Sequence, residues 1–329
     1  MALQHPEKGV WYIQLLSLDE IKDQIKKEAF ELGFTEISFT PIEELTKEIQ
    51  SYQEWIDDSN HADMLWMEKN IDKREDPRKL LPEAKSVIVL LTNYNTEETP
   101  QDKEGYGKIA RYARGKDYHN VIGKRLKKLS RKINENFNSK TRHYVDTGPV
   151  LERQWAVKAG LGWQGKNTLL LNRKLGSYFF ISVIFTELEF DYPKLISDHC
   201  GKCNKCIDAC PTNAITPYKV DARKCISYWT IESKEDEIEK NISKNQNNWI
   251  FGCDICQEVC PWNNHRVPLT QDPSFLPRNN KSELELKSIL NMQEEEFSIR
   301  FQNSPIKRPK LKGMKRNAKS IVNNSKKSL

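Results

Sequence analysis

The stretch CGKCNKCIDACP, residues 200–211, decides how this chain is read. Cys200, Cys203 and Cys206 stand at three-residue steps, Cys210 follows after a wider step, and Pro211 closes the run. Three thiolates at that spacing wrap one face of a cubane [4Fe–4S] cluster, while the fourth is turned away and ligates a second cluster. A second run, Cys253-x2-Cys256-x3-Cys260-Pro261, repeats the pattern with Ile250 where its first cysteine belongs. One ligand is missing there, and one cysteine, Cys225, is left over. The sum closes with Cys200, Cys203, Cys206 and Cys260 on one cluster and Cys210, Cys225, Cys253 and Cys256 on the other. The competing assignments are a four-cysteine zinc site and a disulfide framework. The unbroken run of four cysteines and both Cys-Pro endings argue against zinc, and the tight clustering in a chain without an export signal argues against disulfides.

All eight cysteines fall between positions 200 and 260, which marks residues 196–265 as a bacterial-ferredoxin-like module for two [4Fe–4S] clusters. Before it, residues 1–195 alternate between helix and strand patterns. Apolar residues at helical spacing (Ile21, Ile25, Ala29, Leu32) predict a helix over 18–32, followed by a strand over 36–39 and a helix over 41–52. Val87, Ile88, Val89 and Leu90 read as a buried strand over 86–91. A helix over 118–137 turns Val121, Ile122, Leu126, Leu129 and Ile133 inward. A strand over 142–145, a helix over 149–159 and a strand over 177–186 complete an α/β domain. After it, residues 266–329 are polar, with a helix over 282–290 and then a basic tail. The expected class is therefore α+β, in three consecutive domains.

Of 329 residues, 37% are hydrophobic and 30% charged, and the net charge is +6. No apolar run approaches the ~18 residues of a membrane span, and residues 1–11 contain no apolar signal core, so a cytoplasmic protein is expected. No acidic residue follows Glu296, whereas Lys307, Arg308, Lys310, Lys312, Lys315, Arg316, Lys319, Lys326 and Lys327 do. A second basic group is Lys124, Arg125, Lys127, Lys128, Arg131 and Lys132. Such clusters suit a polyanion, nucleic acid first; the plainer reading is a solvated helix face and a frayed tail.

Two motifs fall short. GLGWQGKN (160–167) lacks, at Asn167, the hydroxyl a phosphate loop needs for magnesium, and it follows a helix pattern instead of a strand. Asp117-Tyr-His119 approaches an Asp-x-His-x-x-Gly cobalt-ligating pattern, but the glycine comes one position late, at Gly123. His119 is therefore not read as an axial ligand.

The segments HYVDTGPVLER (143–153), AGLGWQGKNT (159–168), CISYWTIE (225–232), NWIFGCDICQEVCPWN (248–263) and IARYA (109–113) appear in the same order in another group of proteins. Over roughly residues 15–320 the chain closely resembles the epoxyqueuosine reductases, which carry out the last step of queuosine synthesis on tRNA. The resemblance implies cobalamin beside two [4Fe–4S] clusters, in a fold related to reductive dehalogenases, with no protein histidine on cobalt. It implies that Asp146 protonates the departing epoxide oxygen, which would require burial or nearby negative charge to raise its pKa. It suggests cobalamin contacts from Asn167, Ser227 and Asp254, with Lys69 and Arg111 as further candidates for the corrin's amide or phosphate groups. Candidates for the tRNA backbone are Lys234, Lys307, Arg308, Lys315 and Arg316, and Trp163, Trp229 and Trp262 offer rings for base stacking. Many members carry a C-terminal helical-repeat domain for which this chain ends too soon, leaving more of the RNA contact to the basic tail. A monomer reduced by a low-potential ferredoxin or flavodoxin-type donor is expected. The rivals are a corrinoid reductive dehalogenase and a non-catalytic electron-transfer subunit.

Overall fold

The strand Ser86–Asn93 is buried at every position, because it lies inside a sheet covered by helices on both faces. This computed structural model describes residues 16–97, 100, 102–263 and 267–325; residues 1–11, Lys326 and Lys327 lie outside the described residues. The sheet runs Glu36–Pro41, Ser86–Asn93, Phe179–Thr186, Thr141–Tyr144, and each neighbouring pair is antiparallel. Helix–strand alternation in the sequence thus produces an α+β sheet with no parallel pair. Side chains alternate between its faces. Ile88, Leu90 and Ile184 pack with Ile25 and Ala29 of the Leu18–Glu31 helix and with Ile122, Leu126 and Leu129 of the Tyr118–Phe137 helix. Val87, Val89, Leu91, Val183 and Phe185 pack on the other face with Trp155 and Ala156 of the Glu152–Lys158 helix. Burying each such aliphatic or aromatic side chain contributes roughly 1.5–3 kcal/mol.

Helix boundaries differ from the expectation where proline or capping chemistry decides. The first strand runs on through Pro41, so the following helix is Thr46–Asp57 and not 41–52. Residues 145–149 turn before the next helix, which occupies Glu152–Lys158 instead of 149–159. The segment expected as a helix over 282–290 splits into a strand, Glu283–Glu285, and a helix, Leu286–Asn291.

That short strand ties the three expected spans together. It pairs antiparallel with Tyr106–Ile109, which pairs parallel with Trp249–Phe251 on its other side. One three-stranded sheet therefore takes a strand from each of the spans 1–195, 196–265 and 266–329. Beneath it Ile109, Ile250, Phe251, Leu284 and Ile289 share a core with Leu311, Met314, Ala318 and Ile321 of the Lys310–Ser325 helix. The basic tail is thus a core helix through residue 325, not a frayed end. The core also explains the incomplete cysteine repeat. Ile250 is fully buried and packed so closely that a Cβ on Gly107 would lie 2.7 Å from its own Cβ. A thiol at that position would face the core.

Among the described residues no helix is long and apolar enough to cross a membrane.

Candidate functional site

No disulfide joins any of the eight cysteines, and they lie close enough to raise one another's pKa within and between the two expected ligand sets. Burial raises the Cys260 thiol, and Cys200, Cys206 and Cys203 raise it further. Burial likewise raises Cys253, with Cys256 and Cys225 adding to it, and Cys256 feels Cys225, Cys206 and Cys210. The repulsion that keeps these crowded thiols protonated would be relieved by a cationic iron–sulfur core, which binds the deprotonated form. Backbone N–H groups already point at the sulfurs: Ala214 donates to Cys210 Sγ at 3.3 Å, and Ser227 and Tyr228 donate to Cys225. The chain turns sharply into the second group at Gly252, whose φ is +69° and where an added Cβ would lie 2.5 Å from Ala110 Cβ, leaving no space for a side chain.

Asp146 follows the strand Thr141–Tyr144 by two residues and takes a left-handed φ of +60°, a strained choice for a residue with a Cβ. Its side chain is 62% exposed. Oδ2 accepts from Tyr118 Oη–H at 2.6 Å and faces His119 Nε2 at 3.0 Å, while His119 Nδ1 lies 2.8 Å from Asp117 Oδ1. Asp117 caps the Tyr118–Phe137 helix, and so fixes Tyr118 and His119 in its first turn. Burial alone would raise the Asp146 pKa, but the bonds from His119 and Tyr118 and the charges of His119 and Arg308 outweigh it. The carboxyl is held below its ordinary range, contrary to the expectation of a raised value. Burial opposes the charged form of His119, but its two carboxylate partners overcome this and push its pKa up to about 9. Near neutrality the proton of this cluster therefore resides on His119.

A second carboxyl missed in the sequence is Glu152. Burial pushes its pKa up to about 7, and the Asp146 charge adds to the effect. Arg153 donates from Nη1 to Thr168 O and Oγ1, pinning Thr168 in a left-handed φ of +67°. These roles were invisible because each depends on a partner from another element, and no spacing rule encodes it.

The acid and the cluster loops converge on Tyr112. Burial raises its hydroxyl pKa, and the charges of Asp146, Glu232 and Asp254 raise it further while Arg308 lowers it. Arg308 is bidentate on Glu232, from Nε at 3.1 Å and Nη2 at 2.8 Å to Oε2, with its side chain 55% exposed.

Other expected site residues divide clearly. Asp254 is only 2% exposed; Oδ2 accepts from Arg111 N–H at 2.6 Å and Oδ1 from Gln257 Nε2 at 3.3 Å. Its carboxylate works inside the protein, a correction to its expected cofactor contact. Asn167 is buried and donates from Nδ2 to Cys256 O at 3.4 Å. Arg111 is buried, bonded through Nη1 to Asn95 Oδ1 at 2.7 Å and stacked 4.2 Å over Tyr178. Its Nε has no protein partner. Ser227 is half-buried beside Cys225, and Lys69 is exposed.

Lys234 and Lys307 are exposed and Lys315 is half-buried. Arg316 is the clear correction among the expected tRNA contacts. It is 7% exposed, with Nη1 donating to Ser233 O and Glu235 O, both at 2.8 Å, and Nη2 to Trp229 O at 2.5 Å. A guanidinium spent on internal carbonyls cannot read a phosphate. Trp163 is buried, which removes it from base stacking, and Trp229 donates Nε1–H to Arg223 O at 2.7 Å. His119 has a carboxylate on each ring nitrogen.

Residues 74–147 match the family described as epoxyqueuosine reductase QueG, DUF1730, and residues 199–263 match the 4Fe-4S double cluster binding domain. The module thus carries two [4Fe–4S] clusters. An epoxyqueuosine reductase of Leadbetterella byssophila is 47% identical over 89% of this chain and 96% of its own length. A crystal structure of epoxyqueuosine reductase with an epoxyqueuosine-modified tRNA-Tyr stem loop superimposes with a TM-score of 0.87 at 28% identity, covering 94% of this chain and 82% of that one. The Bacillus subtilis enzyme, solved with its catalytic aspartate loop swung out of the active site, gives a TM-score of 0.85 at 26% identity, over 94% of this chain and 82% of that one.

Proposed function

The chain belongs to the epoxyqueuosine reductase family, and from that premise we propose that it reduces epoxyqueuosine to queuosine at the wobble position of tRNA, with Asp146 delivering the proton to the departing oxygen. The observation that carries this reading is the hydrogen-bonded set Asp117–His119–Asp146, open to solvent at Asp146. An epoxide becomes an alkene and water by taking up two electrons and two protons. When bound, the clusters would supply the electrons singly. One proton moves from His119 Nε2 to Asp146 Oδ2 and on to the oxygen, and solvent restores the imidazolium. Tyr118 holds the carboxylate in line, and the left-handed turn presents it outward.

Cobalamin fits the same region. Arg111 Nε and Thr96 Oγ1 are buried polar atoms without protein partners, as an amide-fringed corrin requires. Arg111, Asn167, Ser227 and Lys69 would hold it, with Asp254 fixing the Arg111 backbone. When bound, cobalamin supplies a reduced cobalt that collects single electrons beside the substrate. Cys200, Cys203, Cys206 and Cys260 would ligate one cluster, and Cys210, Cys225, Cys253 and Cys256 the other. The relative solved with a modified stem loop supports tRNA as the substrate; Lys234, Lys307, Lys315 and Arg308 would meet its backbone. We further propose a cytoplasmic monomer served by a ferredoxin or flavodoxin-type donor. An electron-transfer subunit would have no use for the Asp146 set, and a dehalogenase none for the RNA contacts.

Protein reconstituted with iron, sulfide and cobalamin should convert epoxyqueuosine in an anticodon stem-loop to queuosine under a strong reductant. Failure to bind cobalamin at all would sink this reading.

A further inference from the structure

The segment GLGWQGKN, which fails as a phosphate loop, contacts both cysteine groups through adjacent residues. Asn167 reaches Cys256 O, as described above. Lys166 reaches the opposite way: Nζ donates to Gly201 O at 2.8 Å, Cys203 O at 3.0 Å and Asn204 Oδ1 at 2.9 Å. Its own carbonyl accepts from Tyr218 N–H at 3.0 Å. All three donor positions of the ammonium are thus committed to one loop, across more than 30 residues of chain. That loop carries Cys203, an exposed thiol, and turns through Gly201 at φ +47°.

The local charges are few. Asp198 accepts from Cys200 N–H at 2.6 Å and from Tyr218 Oη–H. Lys202, Lys205 and Asp208 are exposed on the loop and its following turn. Lys166 is the cation bonded to the loop backbone, and Asp198 the anion opposing it.

We propose that Lys166 is a positioning residue for the cluster of Cys200, Cys203, Cys206 and Cys260: it ties down the ligand loop and supplies a fixed positive charge that favours that cluster's reduced form. The inference rests on the two-cluster reading. Reduction adds one electron to the cluster and breaks no bond, so a nearby ammonium stabilises the product directly. Removing it also leaves Asp198 uncompensated. At a partly solvated site the loss corresponds to about fivefold weaker electron affinity, or ~40 mV for a one-electron couple.

The test is an EPR-monitored reductive titration of the reconstituted full chain, comparing wild type with Lys166→Gln and Lys166→Arg. Wild type should contain about eight iron atoms per chain and titrate as two clusters; anything less counts against the two-cluster reading itself and not against Lys166. In Lys166→Gln one cluster should move to lower potential while the other stays, and Lys166→Arg should remain near wild type. Loss of half the iron in Lys166→Gln but not in Lys166→Arg would equally uphold the tie. Unchanged potentials with full iron in Lys166→Gln, or equal shifts in Lys166→Gln and Lys166→Arg, would overturn the proposal.

Discussion

Replacing Arg316 by Met keeps most of the side-chain volume and removes every donor. The carbonyls of Trp229, Ser233 and Glu235 would then lose a charged partner inside the protein. Asn317 Oδ1, which accepts from Nε at 3.1 Å and Nη2 at 3.0 Å, would lose both bonds. Hydrogen bonds to charged groups contribute about 1.5–3 kcal/mol each. The buried guanidinium also carries a desolvation cost, visible as a lowered pKa, and relieving it returns part of the loss. The balance is a destabilisation of roughly 3 kcal/mol, or a fall of about 5 °C or more in Tm for a chain of this size. Urea unfolding followed by tryptophan fluorescence measures the first quantity. The salt dependence of binding to an anticodon stem-loop tests the RNA role, and its slope should not change, because Arg316 is spent on internal carbonyls. A variant as stable as wild type but about one unit shallower in salt slope would refute the reasoning and return Arg316 to the RNA surface.

Asp146→Asn should retain both clusters by absorbance yet lower turnover by about 10²–10⁴-fold; wild-type turnover would remove it as the proton donor. In wild type the rate should fall as pH rises through about 9, where His119 loses its proton, and His119→Gln should lack that limb while turning over more slowly. Because the His119 pKa is raised in the fold, its stabilising contribution is complete below its unfolded pKa and disappears as pH rises through about 9. We expect ~1–2 kcal/mol, discounted for the 33% of the side chain left in water, measurable as a wild-type-minus-His119→Gln difference in urea stability at pH 6 and pH 10. Cys225→Ser should cost one cluster and spare the other, which iron analysis would read as a loss of about half; retention of all iron would refute the assignment of Cys225. Lys307→Ala with Lys234→Ala should reduce the salt slope of stem-loop binding by about two units if both meet phosphates.

What was legible in the sequence was chemistry carried by short, regular spacing. The cysteine steps announced two clusters because ligand geometry is local, and the Tyr118–Phe137 helix was readable to the residue because its apolar stripe is unbroken. The strand Glu283–Glu285 was not, since three residues are too few to display a period of two. Arg316 looked like part of a basic tail because charge is visible in sequence and burial is not. Asp146 was found by resemblance, but the direction of its pKa depended on His119, 27 residues away and set aside as a failed metal motif. The sequence rules tested that histidine for cobalt and had no reason to test it for a carboxylate.

The three-stranded sheet that joins Tyr106–Ile109, Trp249–Phe251 and Glu283–Glu285 also constrains how the molecule can be made. Contacts such as Arg111 with Asp254 span 143 positions, and the core beneath the sheet is incomplete until the Lys310–Ser325 helix arrives. During synthesis the cysteines leave the ribosome before their supporting sheet can close, so their thiols are unshielded in the nascent chain. Cluster insertion is accordingly expected to follow completion of the polypeptide, and a fragment cut at the apparent edges of the cysteine module would carry the ligands without the floor that holds them.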